Sequence, residues 1–376
     1  MIKMNAQKNI GYRPTWAELD LNNLAYNFFQ IKKLLSPKTK IMACVKADAY
    51  GHGLVEVSRK LVTYQVDYLG VASIDEGIKL REAKIKSPIL VLGTVLKKDI
   101  LPLISYNLTQ TVFSEELVFA LNNLGREKNK IINIHIKVDT GMGRQGVLFN
   151  EAEAFIKKIY PLKYIRIEGI FTHFPCADTN KNFTNYQIKI FRDLVLNLKN
   201  KGINIPLVHA ANSIGIVDYP QSHFNMVRPG LILYGLYPKE NLKINLKPVL
   251  SLKTKVVYVK KVPPRWGISY GHTYITKNPT NIVILPVGYG DGYPRNLSNL
   301  ASVLIQGRRF KISGTICMDQ MMVDVGNLSV KIGQEVVLIG SQGKNKVTAE
   351  ELARLSGTIP YEIVCGLGSR IWRVYK

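Results

Sequence analysis

Residues 40–53 read KIMACVKADAYGHG, a short apolar run (Lys40–Val45) closed by Lys46, with Tyr50 four residues later and glycines at 51 and 53 bending the chain. The amphipathic stretch Leu54–Val62 follows at once, so a strand, a loop and a helix succeed one another. Read outward from this βα unit, the first two-thirds of the chain repeat its order. Further strand candidates are Thr15–Leu21, Tyr68–Ala72, Ile89–Leu92, Thr109–Phe113, Ile131–Val138, Ile165–Thr172, Leu207–Ala211 and Met226–Arg228. Helical patterns between them include Leu24–Leu35, Glu115–Leu124, Glu151–Ile159 and Tyr186–Leu198. Eight strands would close a (β/α)8 TIM-type barrel, which leaves one of the nine over.

Beyond about Leu242 the texture changes. Val249–Val262, Asn281–Val287, Ala301–Ile305, Lys311–Cys317, Met321–Val325 and Glu335–Ile339 alternate between Gly- and Pro-rich turns, which predicts a mostly-β domain. Only Thr348–Ser356 reads as helix there, with Thr348 and Glu351 at capping-box spacing. The fold class expected is therefore α/β, a barrel followed by a β-rich domain.

Composition narrows the function. The 376 residues are 46% hydrophobic and 21% charged, ordinary for a chain with a sizeable core, and this argues against disorder or coiled coil. Four cysteines (Cys44, Cys176, Cys317, Cys365) are too few and scattered for a disulfide framework or a metal finger. No signal-peptide core opens the sequence, and the best apolar stretch, Pro88–Leu96, is under half of a membrane span. A cytoplasmic protein without membrane contact is expected. The net charge of +24 could mark a nucleic-acid partner. The lysines, however, are dispersed, as in KLLSPKTK (33–40), REAKIK (81–86) and VKK (259–261), and form no aromatic-interleaved stripe. They read as solvated faces, with no nucleic acid expected.

Functional residues of a barrel sit at the C-terminal ends of its strands. Those ends here would present Lys46, Tyr50, Arg144, His173, Ser213 and Arg228 around one mouth, with Lys137 and His209 in the strands that lead to it. A lysine there can lose solvation and form a Schiff base. Ser213 and the backbone at Pro229–Leu231 follow the last two strands, where barrels often seat phosphate. A lysine imine opposite a phosphate seat suits pyridoxal 5'-phosphate (PLP), whose ring nitrogen needs an acidic or guanidinium partner.

The ordered strings VKADAYGHG (45–53), KVDTGMGR (137–144), THFPCAD (172–178), HAANS (209–213), RPGLILYG (228–235), SYGHTY (269–274), VGYGDGYPR (287–295) and CMDQ (317–320) carry a resemblance to the alanine racemases, from about Pro14 to the C-terminus. The resemblance implies a PLP-dependent isomerase that interconverts L- and D-alanine and supplies D-alanine for peptidoglycan. It leaves open a broader range of amino acids, serine among them. It implies a homodimer with composite sites and no metal. It also implies domains at 22–242 and 243–376, with the surplus strand in 1–21 pairing with the β-domain.

Site roles follow from the same resemblance. Lys46 holds PLP and is one base; Tyr270 of the partner subunit is the other. Tyr50, Ser213, Tyr361 and the backbone of Gly230 and Leu231 bind the phosphate. Arg228 bonds the ring nitrogen, with His173 and His209 in the network behind it. Arg144 contacts the phenolic oxygen and the substrate carboxylate, and Lys137, carbamylated in several members, orients it. The Met318 N–H of the partner subunit receives the substrate carboxylate, with Asp319 in support. Asp178, Tyr289, Arg295 and Ile359, with Cys176, resemble the substrate corridor, while Thr315 stands where some members carry arginine. A related PLP decarboxylase would want a triple-glycine loop, and the chain has no GGG run. Single-barrel PLP-binding proteins lack a C-terminal domain altogether.

Overall fold

The computed structural model describes residues 12–376. The remainder of the expected 1–21 segment lies outside the described residues. Nine strands of the N-terminal two-thirds are β2 (Lys40–Cys44), β3 (Tyr68–Val71), β4 (Ile89–Val91), β5 (Thr109–Val112), β6 (Ile132–Asp139), β7 (Val147–Leu148), β8 (Ile165–Phe171), β9 (Leu207–His209) and β10 (Met226–Val227). Eight of them pair in parallel in the order β5-β4-β3-β2-β10-β9-β8-β6, and β5 pairs with β6 to close the barrel. The two-residue β7 only extends β6 at the rim. β3, β4 and β5 are buried at every residue, because helices cover their outer face and side chains fill the inner one.

The surplus strand β1 (Thr15–Leu19) leaves the barrel. It pairs antiparallel with β11 (Leu250–Lys255) and parallel with β21 (Trp372–Tyr375), so the C-terminal sheet takes up the N-terminal strand. Thr15, Trp16, Ala17 and Leu19 are buried there. That sheet continues through β19 (Glu335–Gln342) and β16 (Ser302–Ile305) to β17 (Arg308–Lys311).

Three readings of the C-terminal part need correction. The run Val249–Val262 is not one strand: it breaks between β11 and β12 (Tyr258–Val262), which belong to different sheets. Val256 donates to Gln334 and Val257 to Ile284, so the chain turns a corner while its alternation continues. Lys311–Cys317 is irregular after Lys311 apart from one bridge, Ile312 to Val323. Thr348–Ser356 is also not the sole helix, since Pro360–Cys365 forms another, too short for its apolar period to show. Thr348 does cap its helix, accepting from the Glu351 N–H, but the Glu351 carboxylate pairs with Arg309 instead of completing a box. Among the described residues, no helix is long and apolar enough to cross a membrane.

Candidate active site

Lys46 follows β2 and opens a turn, Lys46–Gly51, in which Ala47, Asp48, Ala49 and Tyr50 all have φ of 53–55°. Four consecutive left-handed non-glycine residues cost about 1–2 kcal/mol each, so the surroundings must over-determine the turn. They do. The Ala47 N–H donates to Glu76 Oε1 at 2.7 Å, and Asp48 Oδ1 accepts from the Leu54 N–H at 2.8 Å. Gly51 and Gly53 have positive φ, and a Cβ on either would collide, with the Val364 carbonyl and the Tyr375 hydroxyl respectively. The turn aims Lys46 inward and buries Tyr50 against the rings of Tyr234 and Tyr361, 5.0 and 5.8 Å between centroids.

A cavity of about 680 Å³ opens at the C-terminal ends of the barrel strands. Lys46, Tyr50, Lys137, Arg144, His173, Ser213, Arg228, Gly230, Ile359 and Tyr361 line it together. Among the described residues the lining includes no Asp or Glu, so four cationic side chains face one hole. Such a site suits an anion.

Arg228 is buried on the floor. Its guanidinium donates to the Thr172 and Ala210 carbonyls at 2.7 and 3.0 Å and to Nδ1 of His209 at 2.8 Å, with His173 Nδ1 at 3.3 Å. Burial lowers Arg228 to about 10, still charged at neutral pH. Burial, reinforced by Arg228, holds His173 and His209 well below the ordinary histidine range, so both rings are neutral. Lys137 is buried, and desolvation with Arg144 and Arg228 lowers it to about 8.

At the opposite side Gly230 donates its N–H to Ser213 Oγ at 3.1 Å. A Cβ at Gly230 would stand 2.7 Å from the Tyr50 hydroxyl, so only glycine leaves that cradle open. Burial pushes Tyr50 well above its usual value and Tyr361 to about 12, so both hydroxyls keep their protons as donors. The adjoining Leu231 is buried.

The other expected residues stand apart from this cavity. Tyr270 is 72% exposed and borders a separate shallow depression with Ser269, His272 and Cys317. Met318 and Tyr289 are exposed, as are Asp178 and Arg295. Asp319 pairs with Arg370 at 2.6 Å. Thr315 donates to the Tyr270 carbonyl at 2.9 Å and so braces the segment that carries that side chain. Sequence reasoning passed over Phe171, whose ring stacks on His209 (4.7 Å, 7°) and lies 5.2 Å from the Arg228 guanidinium carbon. Its signal was available: it ends an apolar strand two residues before His173. Glu76 was also passed over, 29 residues from its partner Ala47, and nothing local announces it.

A family signature described as alanine racemase, N-terminal domain, covers residues 19–238, and one described as alanine racemase, C-terminal domain, covers 249–375. The chain belongs to the alanine racemase family. An alanine racemase of Halothermothrix orenii is 49% identical over 97% of both chains, and one of Methanococcus maripaludis is 45% identical over 96% of this chain and 98% of its own. Among solved structures, the alanine racemase of Clostridium difficile 630 superposes with a TM-score of 0.92 at 41% identity, over 96% of each chain. The Bacillus anthracis alanine racemase with bound L-Ala-P has a TM-score of 0.92 at 36% identity, over 98% of this chain and 96% of that one. Like other alanine racemases, the chain is an isomerase.

Proposed function

We propose that the protein racemises alanine with PLP, at sites shared between two copies of the chain, in the cytoplasm, and so supplies D-alanine for peptidoglycan. The observation that carries this reading is the cavity itself. It sets Lys46, the Gly230–Ser213–Tyr50 cradle and a buried Arg228 around one acid-free hole. These residues fit PLP. The cradle offers N–H and O–H donors to a phosphate, Lys46 supplies the amine for a covalent anchor, and Arg228 supplies a donor for the ring nitrogen.

Bound PLP supplies an electron sink that acidifies the α-hydrogen of an amino acid. Tyr50, Ser213, Tyr361 and the backbone at Gly230 and Leu231 hold the phosphate. Arg228 keeps its proton and would therefore leave the ring nitrogen unprotonated and the sink modest, which would restrain side reactions. Arg144 and the backbone N–H of the partner subunit's Met318 orient the substrate carboxylate, with the partner subunit's Asp319 in support. Lys137 presents, near pH 8, the neutral amine that can add carbon dioxide and lose one N–H proton to solvent; the carbamate so formed would be the anion that holds Arg144. Lys46 and the partner subunit's Tyr270 then move the proton on opposite faces, so the substrate never has to turn over. Asp178, Tyr289, Arg295 and Ile359 line the approach. The exposure of Tyr270, Met318 and Tyr289 supports this reading, since large apolar side chains left bare on the β-rich half await a covering surface.

The test is complementation. Lys46→Ala and Tyr270→Phe are each expected to be nearly inactive in polarimetric assays of L- and D-alanine. After random subunit exchange about half of the dimers are mixed, each with one intact site, so roughly a quarter of wild-type activity should return. No recovery despite demonstrated exchange would place both bases in one chain, and a wild type inert toward alanine would overturn the activity.

A further inference from the structure

Arg228 is a buried cation whose hydrogen-bond partners are two carbonyls and two imidazoles, none of them a carboxylate. Burying a charge without compensation is costly. The compensation runs down the barrel axis. His209 Nε2 lies 2.9 Å from His135 Nδ1, and His135 Nε2 faces Glu168 Oε2 at 3.7 Å with no hydrogen-bond partner of its own. Glu168 Oε2 accepts from the Tyr68 hydroxyl at 2.5 Å and from Thr109 Oγ1 at 3.4 Å. Desolvation pushes Glu168 up, but its hydrogen bonds outweigh burial and leave it below the usual range, hence ionised.

The proton order along this column has one solution. A guanidinium can only donate, so His209 Nδ1 accepts and its proton sits on Nε2. That N–H can bond His135 only if His135 Nδ1 accepts too. The His135 proton is then on Nε2, aimed at the carboxylate. Burial holds both rings below the ordinary histidine range, in agreement with neutral imidazoles. Glu168 favours from the far end the same order that Arg228 imposes from the near end.

Space for the column is built into β8. Gly169 lies opposite His135 in the β6–β8 register, just where that register shifts, and a Cβ on Gly169 would stand 2.4 Å from His135 Nδ1. The dipeptide Glu168-Gly169 therefore supplies both the anion and the room for the ring that reaches it.

We propose that Glu168 and His135 are positioning residues: they fix the tautomer of His209 and thereby hold the Arg228 guanidinium, charged and aimed, at the floor of the cofactor site. The inference rests on the PLP reading above, but its first readout does not depend on turnover. In the wild-type protein, long-range 1H–15N spectra of the imidazoles should show unprotonated Nδ1 on both His135 and His209. In Glu168→Gln, which keeps size and removes charge, His135 should gain an Nδ1–H population. Its kcat should fall about tenfold with KM unchanged, the scale typical of losing an outer-shell partner. An Nδ1–H on either ring of the wild type overturns the proposal even if Glu168→Gln fails to fold. A tautomer change without a fall in kcat, or a fall without the tautomer change, overturns it as well. An inert wild type with the stated tautomers would instead point to failure of the PLP reading.

Discussion

Arg228 shows how much one side chain decides. If PLP binds as proposed, a carboxylate at that place would share a proton with its ring nitrogen and strengthen the electron sink, whereas a guanidinium lowered only to about 10 keeps its own proton at neutral pH. Arg228→Glu is therefore expected to slow racemisation by on the order of tenfold to a hundredfold and to divert more turnovers into transamination. Pyruvate formed per alanine racemised measures the partition, and an unchanged ratio would place Arg228 away from the ring. Lys137 is a second single-residue effect, because burial beside two guanidiniums, more than its own chemistry, brings its amine within reach of neutrality near pH 8.

At the scale of the element, the left-handed turn Lys46–Gly51 stores strain from the residue that follows Lys46. Glu76, in the first turn of the helix Ile74–Glu82, accepts from Ala47 N–H and Ala72 N–H at 2.7 Å each, tying the ends of β2 and β3 together. Glu76→Ala removes two charge-assisted bonds. A loss of about 1–3 kcal/mol in stability is expected, read as a lower urea midpoint, together with weaker PLP affinity as Lys46 loses its fixed direction. Equal PLP affinity in the two proteins would show that the turn holds its shape without Glu76.

Across the whole molecule the two halves are fastened at the mouth of the barrel cavity. Tyr361 and Ile359 reach the barrel cavity from the C-terminal part, Arg373 donates to the Gly51 carbonyl, and Tyr237 N–H donates to Glu350. The same compactness sets an acid limit. Burial holds His52 at about 4 and keeps His135, His173, His209 and His223 below the ordinary histidine value near 6.5. Below pH 6.5 the unfolded chain binds protons that the folded chain refuses, so stability rises with pH there and is lost as pH falls. Each histidine contributes a slope of up to about 1.4 kcal/mol per pH unit. The urea midpoint should drop between pH 7 and pH 5, and less steeply in His52→Phe; a flat wild-type profile would contradict neutral burial.

Periodicity in the sequence offered nine strands that include the eight of the barrel, together with the polar residues at their ends, because in a parallel barrel each strand is a local apolar run and its C-terminal residue faces the mouth by construction. The order of motifs identified the family from the same letters. Pairing partners and corners were not legible. That β1 joins the β-rich part came from the resemblance and not from its own residues, its place between β11 and β21 depends on contacts more than 200 residues away, and the alternation of Val249–Val262 reads alike on both sides of its bend. The Glu76 clasp and the column from Arg228 to Glu168 are likewise hidden, since each joins residues from different elements whose spacing carries no period. Local sequence determines what a segment buries and what chemistry its end presents; only the closed barrel decides which buried groups meet, because hydrogen-bond partners are chosen by position in space.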